Sequence, residues 1–217
     1  MYQLVIGNKN YSSWSLRPWL LMKVCNIEFE EVNIQLYSSE GKAKIRKLSA
    51  AGKVPLLIAD GQTVWDSLAI AEYLAEHHPE KILWPLASDS RAIARSVVSE
   101  MHSSFTEIRN ALPMNCRLLM TYTNINEPLQ QEIDRICHIW RDCRENFGEQ
   151  GKFLFGEFSI ADAFYAPIVL RFYSYGIVVG ETERQYIDQI LSMPQLQEWI
   201  SAAKEETAVI TGYELIN

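Results

Sequence analysis

Hydrophobic and polar residues change their spacing several times along the first eighty residues. The segment YQLVIG has the pattern of a short strand, and apolar residues alternate roughly in EFEEVNIQL, which predicts strands at residues 2–7 and 28–36. Between them, four apolar residues recur at helical spacing, which predicts a helix over residues 14–25. The chain is therefore expected to begin strand–helix–strand.

A hairpin and a further helix follow. Two runs of strand-forming residues flank Asp60-Gly61, a strong turn signal because glycine adopts a positive φ without steric cost. Asp66-Ser67 caps the segment LAIAEYLAEHH, whose apolar residues mark the buried side of a helix. The polar residues 37–53 are expected to hold a short, irregular helix. The resulting order, β-α-β-α-β-β-α, suits a four-stranded mixed sheet covered by helices.

The pattern changes at residues 79–90, where prolines and small polar residues interrupt it, and the remaining segments all have helical spacing. We expect an α/β unit at residues 1–79, a linker at 80–88 and an all-helical unit at 89–217. The predicted helices lie near 89–111, 128–147, 159–175, 183–192 and 194–205.

Composition is that of an ordinary globular protein. Hydrophobic residues make up 48% and charged residues 22% of the 217 residues, which excludes disordered and collagen-like classes. No apolar run approaches the roughly 20 residues that cross a bilayer, and the N-terminus lacks the features of a signal peptide. The four cysteines are too scattered for a disulfide framework, so we expect a cytoplasmic protein with no membrane partner. A formal charge of −7 argues against nucleic acid as the main partner, although a small anion could still bind through local donors.

Three short motifs stand in the order and spacing of one protein superfamily. They are Lys53-Val54-Pro55 ahead of a strand, Asp66-Ser67 at a helix start, and Ser159-Ile160-Ala161-Asp162 as a helix cap in the second unit. Together with the layout of the elements, they resemble the glutathione transferase superfamily over nearly the whole chain. The resemblance implies an α/β thioredoxin-like N-terminal domain that binds glutathione. An all-α C-terminal domain would contribute the pocket for a second substrate.

The resemblance gives five residues a role in binding glutathione. The proline is cis in the family, so the backbone of Val54 before Pro55 would pair with the cysteinyl part; an ordinary trans proline is the alternative. Ser67 would bind the γ-glutamyl α-carboxylate at a helix N-terminus, while Asp66 could hold the ammonium. Plain capping by Ser67 is compatible with this role. The ammonium of Lys53 would bind the glycyl carboxylate as a point charge. The alternative is that Lys53 is a solvated surface lysine without a partner.

The loop NYSSWSLR resembles the active-site loop of the serine classes, particularly the zeta class, where S-S-C-S precedes an aromatic residue and an arginine. Alignment through Arg17 places the catalytic serine at Ser12, with Ser13 as the alternative and Ser15 as a helix cap. Trp14 stands where the zeta pattern has cysteine, which is a departure from the isomerase pattern. Since the loop contains no cysteine, the cysteine-based chemistry of the omega class lacks its nucleophile.

The remaining cysteines and histidines give no metal signal. Cys137 and Cys143 are six positions apart and the chain has no CxxC or HxxxH spacing, so we expect no metal site. Cys25 is expected to be a small buried hydrophobe. Residues 105–117 either line the second-substrate pocket or serve helix packing, and both alternatives stay open.

The expected function is that of a glutathione transferase with glutathione as co-substrate, without metal or nucleotide. A serine hydroxyl at a helix N-terminus would activate the thiol for addition to a small electrophile. One alternative is a zeta-like maleylacetoacetate isomerase, and an alternative of another class is a non-catalytic glutathione-binding or assembly module. We also expect a homodimer, because the apolar residues of segment 91–105 exceed the needs of one core stripe.

Overall fold

A four-stranded mixed sheet forms the first part of the chain. The structure, a computed structural model, describes residues 1–148 and 151–214. The first elements are β1 (Tyr2–Gly7), α1 (Ser13–Val24), β2 (Phe29–Ile34), α2 (Ser39–Leu48), β3 (Leu56–Ala59), β4 (Gln62–Trp65) and α3 (Ser67–His77). The strands lie in the order β2-β1-β3-β4, with β1 and β2 parallel and the other neighbours antiparallel. This thioredoxin-like arrangement confirms the predicted element order, although α2 is a regular helix of ten residues.

Helices make up the second part. They are α4 (Ser88–Ser103), α5 (Thr106–Ala111), α6 (Glu127–Phe147), α7 (Ile160–Ser174), α8 (Glu181–Leu191) and α9 (Pro194–Glu205). The prediction of one helix at 89–111 is wrong, because Phe105 adopts a left-handed φ of +64° and buries its ring in the core. A domain boundary within residues 79–89 stays a prediction. Within residues 1–148 and 151–214, no helix is both long and apolar enough to cross a membrane.

One hydrophobic core runs through both parts. The helices α1 and α7 are buried along almost their whole length and pack against each other. Trp19 of α1 meets Trp199 of α9 edge to face, with ring centroids 5.1 Å apart. Burying a large apolar side chain stabilises a fold by about 1.5–3 kcal/mol, so such contacts fix the sheet relative to the helices.

The register of the sheet brings three chain segments to one end. Val5 of β1 pairs with Leu56 at the start of β3, and Leu56 pairs with Trp65 at the end of β4. The predicted hairpin joins β3 and β4 through Asp60 and Gly61, whose φ values are +48° and +84°. The loop after β1, the segment before β3 and the start of α3 therefore lie side by side.

The cysteines are all free thiols. Cys25 is partly exposed, so its prediction as a buried residue is wrong, but burial still raises its pKa to about 11. Burial raises the pKa of Cys116, Cys137 and Cys143 to about 12. The four thiols are protonated at neutral pH, which makes them poor nucleophiles. No group of three or more His, Cys, Asp or Glu residues in the described part of the chain could hold a metal ion.

Candidate active site

A cleft of about 930 Å³ opens at the end of the sheet where β1, β3 and β4 come together. All seven residues that the sequence predicts for the site line it: Ser12, Ser13, Lys53, Val54, Pro55, Asp66 and Ser67. They come from three segments that are distant in sequence. The structure thus brings the predicted set together, while the roles of its members stay predictions.

Ser12 is the N-cap residue of α1 and is almost fully buried. Its hydroxyl donates a hydrogen bond to Oγ of Ser15 at 2.7 Å, and the same Oγ accepts from the backbone N–H of Gly7 at 3.1 Å. The prediction that Ser15 caps the helix is wrong, because its oxygen binds the end of β1. No side chain caps the N-terminus of α1, so its partial positive charge stays available beside Ser12.

Ser13 is the first residue of α1, and Arg171 of α7 lies next to it. Oγ of Ser13 accepts a hydrogen bond from Nη2 of Arg171 at 3.4 Å. The guanidinium also donates to the carbonyls of Leu112 and Pro167, at 2.8 Å and 3.1 Å, which holds it at the cleft. Burial, followed by repulsion from Arg109, lowers the pKa of Arg171 to about 10. Arg171 therefore stays charged at neutral pH and favours an anion nearby.

The segment before β3 carries the predicted backbone contact to glutathione. The Val54–Pro55 peptide bond is cis, as the resemblance implied. Lys53 is exposed, and the exposed Lys42 of α2 lines the same cleft. Two ammonium groups are thus available here to a carboxylate.

Asp66 is the N-cap residue of α3. Its Oδ1 accepts a hydrogen bond from the N–H of Leu68 at 2.8 Å, and its Oδ2 lies 3.2 Å from Nε2 of His102 on α4. The prediction that Ser67 caps the helix is wrong, since Asp66 performs this function. Asp66 has a φ of +75°, which is uncommon for a residue with a side chain and persists only where the surroundings hold it.

Ser67 is fully buried and touches an arginine of α1. Its Oγ accepts a hydrogen bond from Nη1 of Arg17 at 3.2 Å, and Nη1 also lies 3.5 Å from Nδ1 of His102. The guanidinium of Arg17 lies 4.2 Å and 4.7 Å from the ring centroids of Trp14 and Phe164. Arg17, which the sequence offered only as an alignment anchor, is thus a direct neighbour of a predicted binding residue.

The cleft also contains residues that sequence reasoning missed. They are Tyr11, Leu36, Tyr37, Lys42, Ile45, Ala51, Gly52, Trp65, Arg171, Gly212 and Tyr213. Arg171 gave a signal, because it is a charged residue within the apolar run AFYAPIVLRFY. Tyr213 gave none, because only folding brings the C-terminal segment to the cleft. From segment 105–117, Arg109, Asn110 and Pro113 line the cleft, which supports the pocket-lining alternative for this part.

The C-terminal segment also holds the loop that precedes α1. The carboxylate of Glu206 accepts hydrogen bonds from the backbone N–H groups of Lys9 and Asn10, at 2.6 Å and 3.1 Å. Arg117 donates to the hydroxyl of Tyr11 at 2.6 Å. The loop that leads to the candidate thiol-activating serines is therefore fixed by contacts from Arg117 and from the C-terminal segment.

Residues 11–77 match the family described as the glutathione S-transferase N-terminal domain. The chain is 38% identical over 98 residues to a probable maleylacetoacetate isomerase of Caenorhabditis elegans, a match that covers 45% of each chain. It is 35% identical over 101 residues to the maleylacetoacetate isomerase of Rattus norvegicus, covering 45% of this chain and 46% of the relative. These matches span less than half the length of the relatives. Glutathione S-transferase 1 of Dianthus caryophyllus is 27% identical over 190 residues, which cover 82% of this chain and 81% of that protein.

Solved structures share the fold over nearly the whole chain. A glutathione transferase homolog from Burkholderia with bound glutathione has a TM-score of 0.72 at 22% identity, covering 94% of this chain and 99% of that one. A diazinon-metabolizing glutathione S-transferase of the silkworm Bombyx mori has a TM-score of 0.73 at 14% identity, covering 94% and 97%. At such identities the similarity shows the fold alone. Residues 11–77 thus match the glutathione S-transferase N-terminal domain, nearly half of the chain is similar to maleylacetoacetate isomerases, and the whole chain has the fold of solved glutathione transferases.

Proposed function

We propose that the protein is a glutathione transferase that activates the thiol of glutathione with Ser12 and adds it to a small electrophile. The observation that carries the proposal is that Ser12, Lys53 and Ser67 line one cleft. Ser12 lies at the N-terminus of α1 and Ser67 at the N-terminus of α3. Relatives named maleylacetoacetate isomerase and glutathione S-transferase support the same activity.

Glutathione carries a carboxylate at each end, and the cleft offers a donor for each. Ser67 at the start of α3 binds the glutamyl carboxylate, where unsatisfied N–H groups and the helix dipole favour an anion. Lys53 binds the glycyl carboxylate, and the backbone of Val54 pairs with the cysteinyl part. This arrangement leaves the sulfur beside Ser12 and Ser13, which line the same cleft.

The thiol must lose its proton, because the thiolate is the nucleophile and a free thiol has a pKa near 8.5. Ser12 now donates to Ser15, and its hydroxyl turns to the sulfur when glutathione binds. This exchange is favourable because a hydrogen bond to a charged acceptor is stronger than one between hydroxyls. Lowering the thiol pKa by one unit needs only about 1.4 kcal/mol. Ser13 is the alternative donor, since its oxygen accepts from Arg171 and its proton is left to donate.

In the transfer step the thiolate sulfur forms a bond to the electrophilic carbon with its own electron pair. In a displacement, the leaving group departs with the electron pair of the broken bond. In an addition to a conjugated double bond, the electron pair moves onto the acceptor group, which takes up a proton from solvent in place of the one that the thiol released to solvent. The guanidinium groups of Arg109 and Arg171 line the cleft and stabilise the negative charge that develops on either product.

A pH titration of bound glutathione by thiolate absorbance tests the proposal, in the parent, Ser12→Ala and Ser13→Ala. Ser12→Ala is expected to raise the pKa of the bound thiol by about a unit or more, with nearly intact affinity. The exposed Ser96→Ala on α4 is the matched control and should behave as the parent. A raised pKa only in Ser13→Ala moves the role to Ser13, and an unchanged pKa in both variants rules out a serine mechanism.

A zeta-like maleylacetoacetate isomerase is the second candidate, because curated relatives that match 45% of the chain bear that name. In this reaction the thiol adds to a conjugated double bond, permits rotation, and leaves. The third candidate is a binding or assembly module that holds glutathione without turnover. Calorimetric titration with glutathione combined with a turnover assay separates the three, since a module binds stoichiometrically but shows no product.

We further propose a cytoplasmic homodimer. Segment 91–105 does not supply the expected dimer surface, because Val97, Val98, Met101 and Phe105 are buried in the core of the chain itself and, of the apolar residues that predicted it, only Ile93 is exposed. The proposal now rests on the superfamily and on the prevalence of two-fold dimers. Light scattering should give about twice the chain mass of 25.0 kDa at micromolar concentration, and a mass of one chain contradicts it.

A further inference from the structure

Arg17 is a buried cation with few partners. Its side chain is 1% exposed, and Nη1 donates to Oγ of Ser67 at 3.2 Å. Its Nε has no hydrogen-bond partner within the described part of the chain. Aromatic rings of Trp14 and Phe164 cover the guanidinium. In residues 1–148 and 151–214, no carboxylate lies within ion-pair distance of it.

The neighbouring Arg109 and Arg171 add positive charge near Arg17, which already lacks a counter-ion. Burial, followed by repulsion from Arg109 and Arg171, lowers the pKa of Arg17 well below its ordinary value, and Asp66 opposes the effect. Both neighbouring arginines line the cleft, whereas Arg17 lies buried behind Ser67. A buried cation without a counter-ion is costly to maintain, and a bound anion would offset that cost.

Ser67 connects the cation to the cleft. A serine hydroxyl has a single proton to donate, and its oxygen can accept hydrogen bonds. Because this oxygen already accepts from Arg17, the proton of Ser67 is left for another acceptor. Ser67 is buried within the protein and lines the cleft, so a ligand in the cleft can take that proton.

We propose that Arg17 is a positioning residue for the α-carboxylate of the glutamyl end of glutathione and that it acts through Ser67. The inference rests on the function proposed above. The ligand carboxylate supplies the negative charge that Arg17 lacks, and Arg17 directs the Ser67 proton towards it. The glycyl end, at Lys53, is independent of this contact.

The test pairs one substitution with two ligands. Calorimetry measures the binding of glutathione and of 4-aminobutyryl-cysteinyl-glycine, which keeps the ammonium and lacks only the α-carboxylate. The parent should bind glutathione about ten- to hundredfold more tightly than the analogue, as expected for one charge-assisted hydrogen bond. Arg17→Met should weaken the binding of glutathione about tenfold or more and leave the affinity for the analogue nearly unchanged. Arg135→Met, at an exposed arginine outside the cleft, is the matched control and should change neither.

A purely structural role gives a different result. Replacing an uncompensated buried charge by an apolar residue of similar size is often neutral or stabilising, so Arg17→Met without ligand should have a melting temperature no lower than the parent. The inference is overturned if Arg17→Met weakens the binding of both ligands equally, or if it does not weaken the binding of glutathione. Should Arg17→Met not fold, the uncharged Arg17→Gln carries the same comparison, and failure of both to fold also overturns it. If the parent protein binds no glutathione, the proposed function itself is wrong. This outcome differs from those above, in which the parent binds glutathione and only the role of Arg17 fails.

Discussion

Oδ2 of Asp66 lies 3.2 Å from Nε2 of His102, and this contact joins the start of α3 to the end of α4. On the other side of the ring, Nδ1 lies 3.5 Å from Nη1 of Arg17, which can only donate. The ring is therefore neutral with its proton on Nε2, because a proton on Nδ1 would face a guanidinium. His102 thus contacts Asp66 directly, and it also contacts Arg17, which donates a hydrogen bond to the neighbouring Ser67.

We expect the stability of the protein to depend on the charge of His102. Burial lowers its pKa in the folded state; Asp66 opposes the effect, and Arg17 and Arg109 add to it. The unfolded chain, with a histidine pKa of about 6.5, binds the proton more readily. The free energy of unfolding should therefore have its full value above about pH 6.5, the pKa of histidine in the unfolded chain. It should fall as the pH decreases through the pKa of His102 in the folded state.

Urea unfolding in a neutral and a mildly acidic buffer measures this dependence. His102→Gln should lose less stability between the two buffers than the parent, because it cannot take up the proton. His138→Gln, at an exposed histidine of α6, should behave as the parent. An equal loss in the parent and in His102→Gln contradicts the prediction.

Lys53→Ala and Ser67→Ala should each weaken glutathione binding, because each removes a charge-assisted hydrogen bond worth about 1.5–3 kcal/mol, or roughly ten- to hundredfold in affinity. The two residues grip opposite ends of the tripeptide, so the double variant should show the sum of both free-energy losses. Calorimetry measures the affinities, with the exposed Lys204→Ala as a control outside the cleft. If both single variants bind as the parent does, the site assignment is wrong.

Trp14→Cys should increase maleylacetoacetate isomerase activity from a modest level in the parent. The indole of Trp14 lines the cleft, with its centroid 5.1 Å from the guanidinium of Arg109, so it narrows the space beside the thiol. Steady-state kcat/KM for the isomerisation is the measurement, and Trp65→Cys at another cleft residue is the control. A parent activity equal to that of an authentic zeta enzyme contradicts the prediction.

Asp162→Asn should destabilise the fold by about 2–4 kcal/mol, because an amide donor would face groups that are themselves donors. The buried carboxylate of Asp162 accepts hydrogen bonds from the N–H of Leu154 at 3.1 Å, from the N–H of Ser159 at 2.9 Å and from the hydroxyl of Tyr186 at 3.1 Å. Urea unfolding measures the loss, and the exposed Asp188→Asn of α8 should change stability by less than about 0.5 kcal/mol. Equal stability of the two variants contradicts the prediction.

Local signals in the sequence were sufficient for the elements that carry the site. The strand Tyr2–Gly7, the turn at Asp60-Gly61 and the capping box from Ser159 to Asp162 all stand where their residues predict them. Each depends on interactions between residues a few positions apart, which a single sequence contains. The predicted site residues line one cleft for a related reason, since each follows or precedes a strand at the same end of the sheet.

Contacts between distant residues account for the failures. Ser15 does not cap α1 because Gly7 and Ser12 take its oxygen, and Ser67 does not cap α3 because its oxygen accepts from Arg17. The break in the helix at Phe105 follows from burial of its ring in a core that both parts of the chain build. No local pattern carries such information.

The sequence by itself determined the element order of the first part, the superfamily resemblance and seven of the residues that line the cleft, because these depend on local spacing and short motifs. Only the tertiary structure decided which partners those residues have. The packing of α1 against α3 and α7 places Arg17 beside Ser67, and α4 brings His102 to Asp66. Hydrogen bonds and charges act over a few ångströms, so they depend on which helices the shared core holds together rather than on distance along the chain.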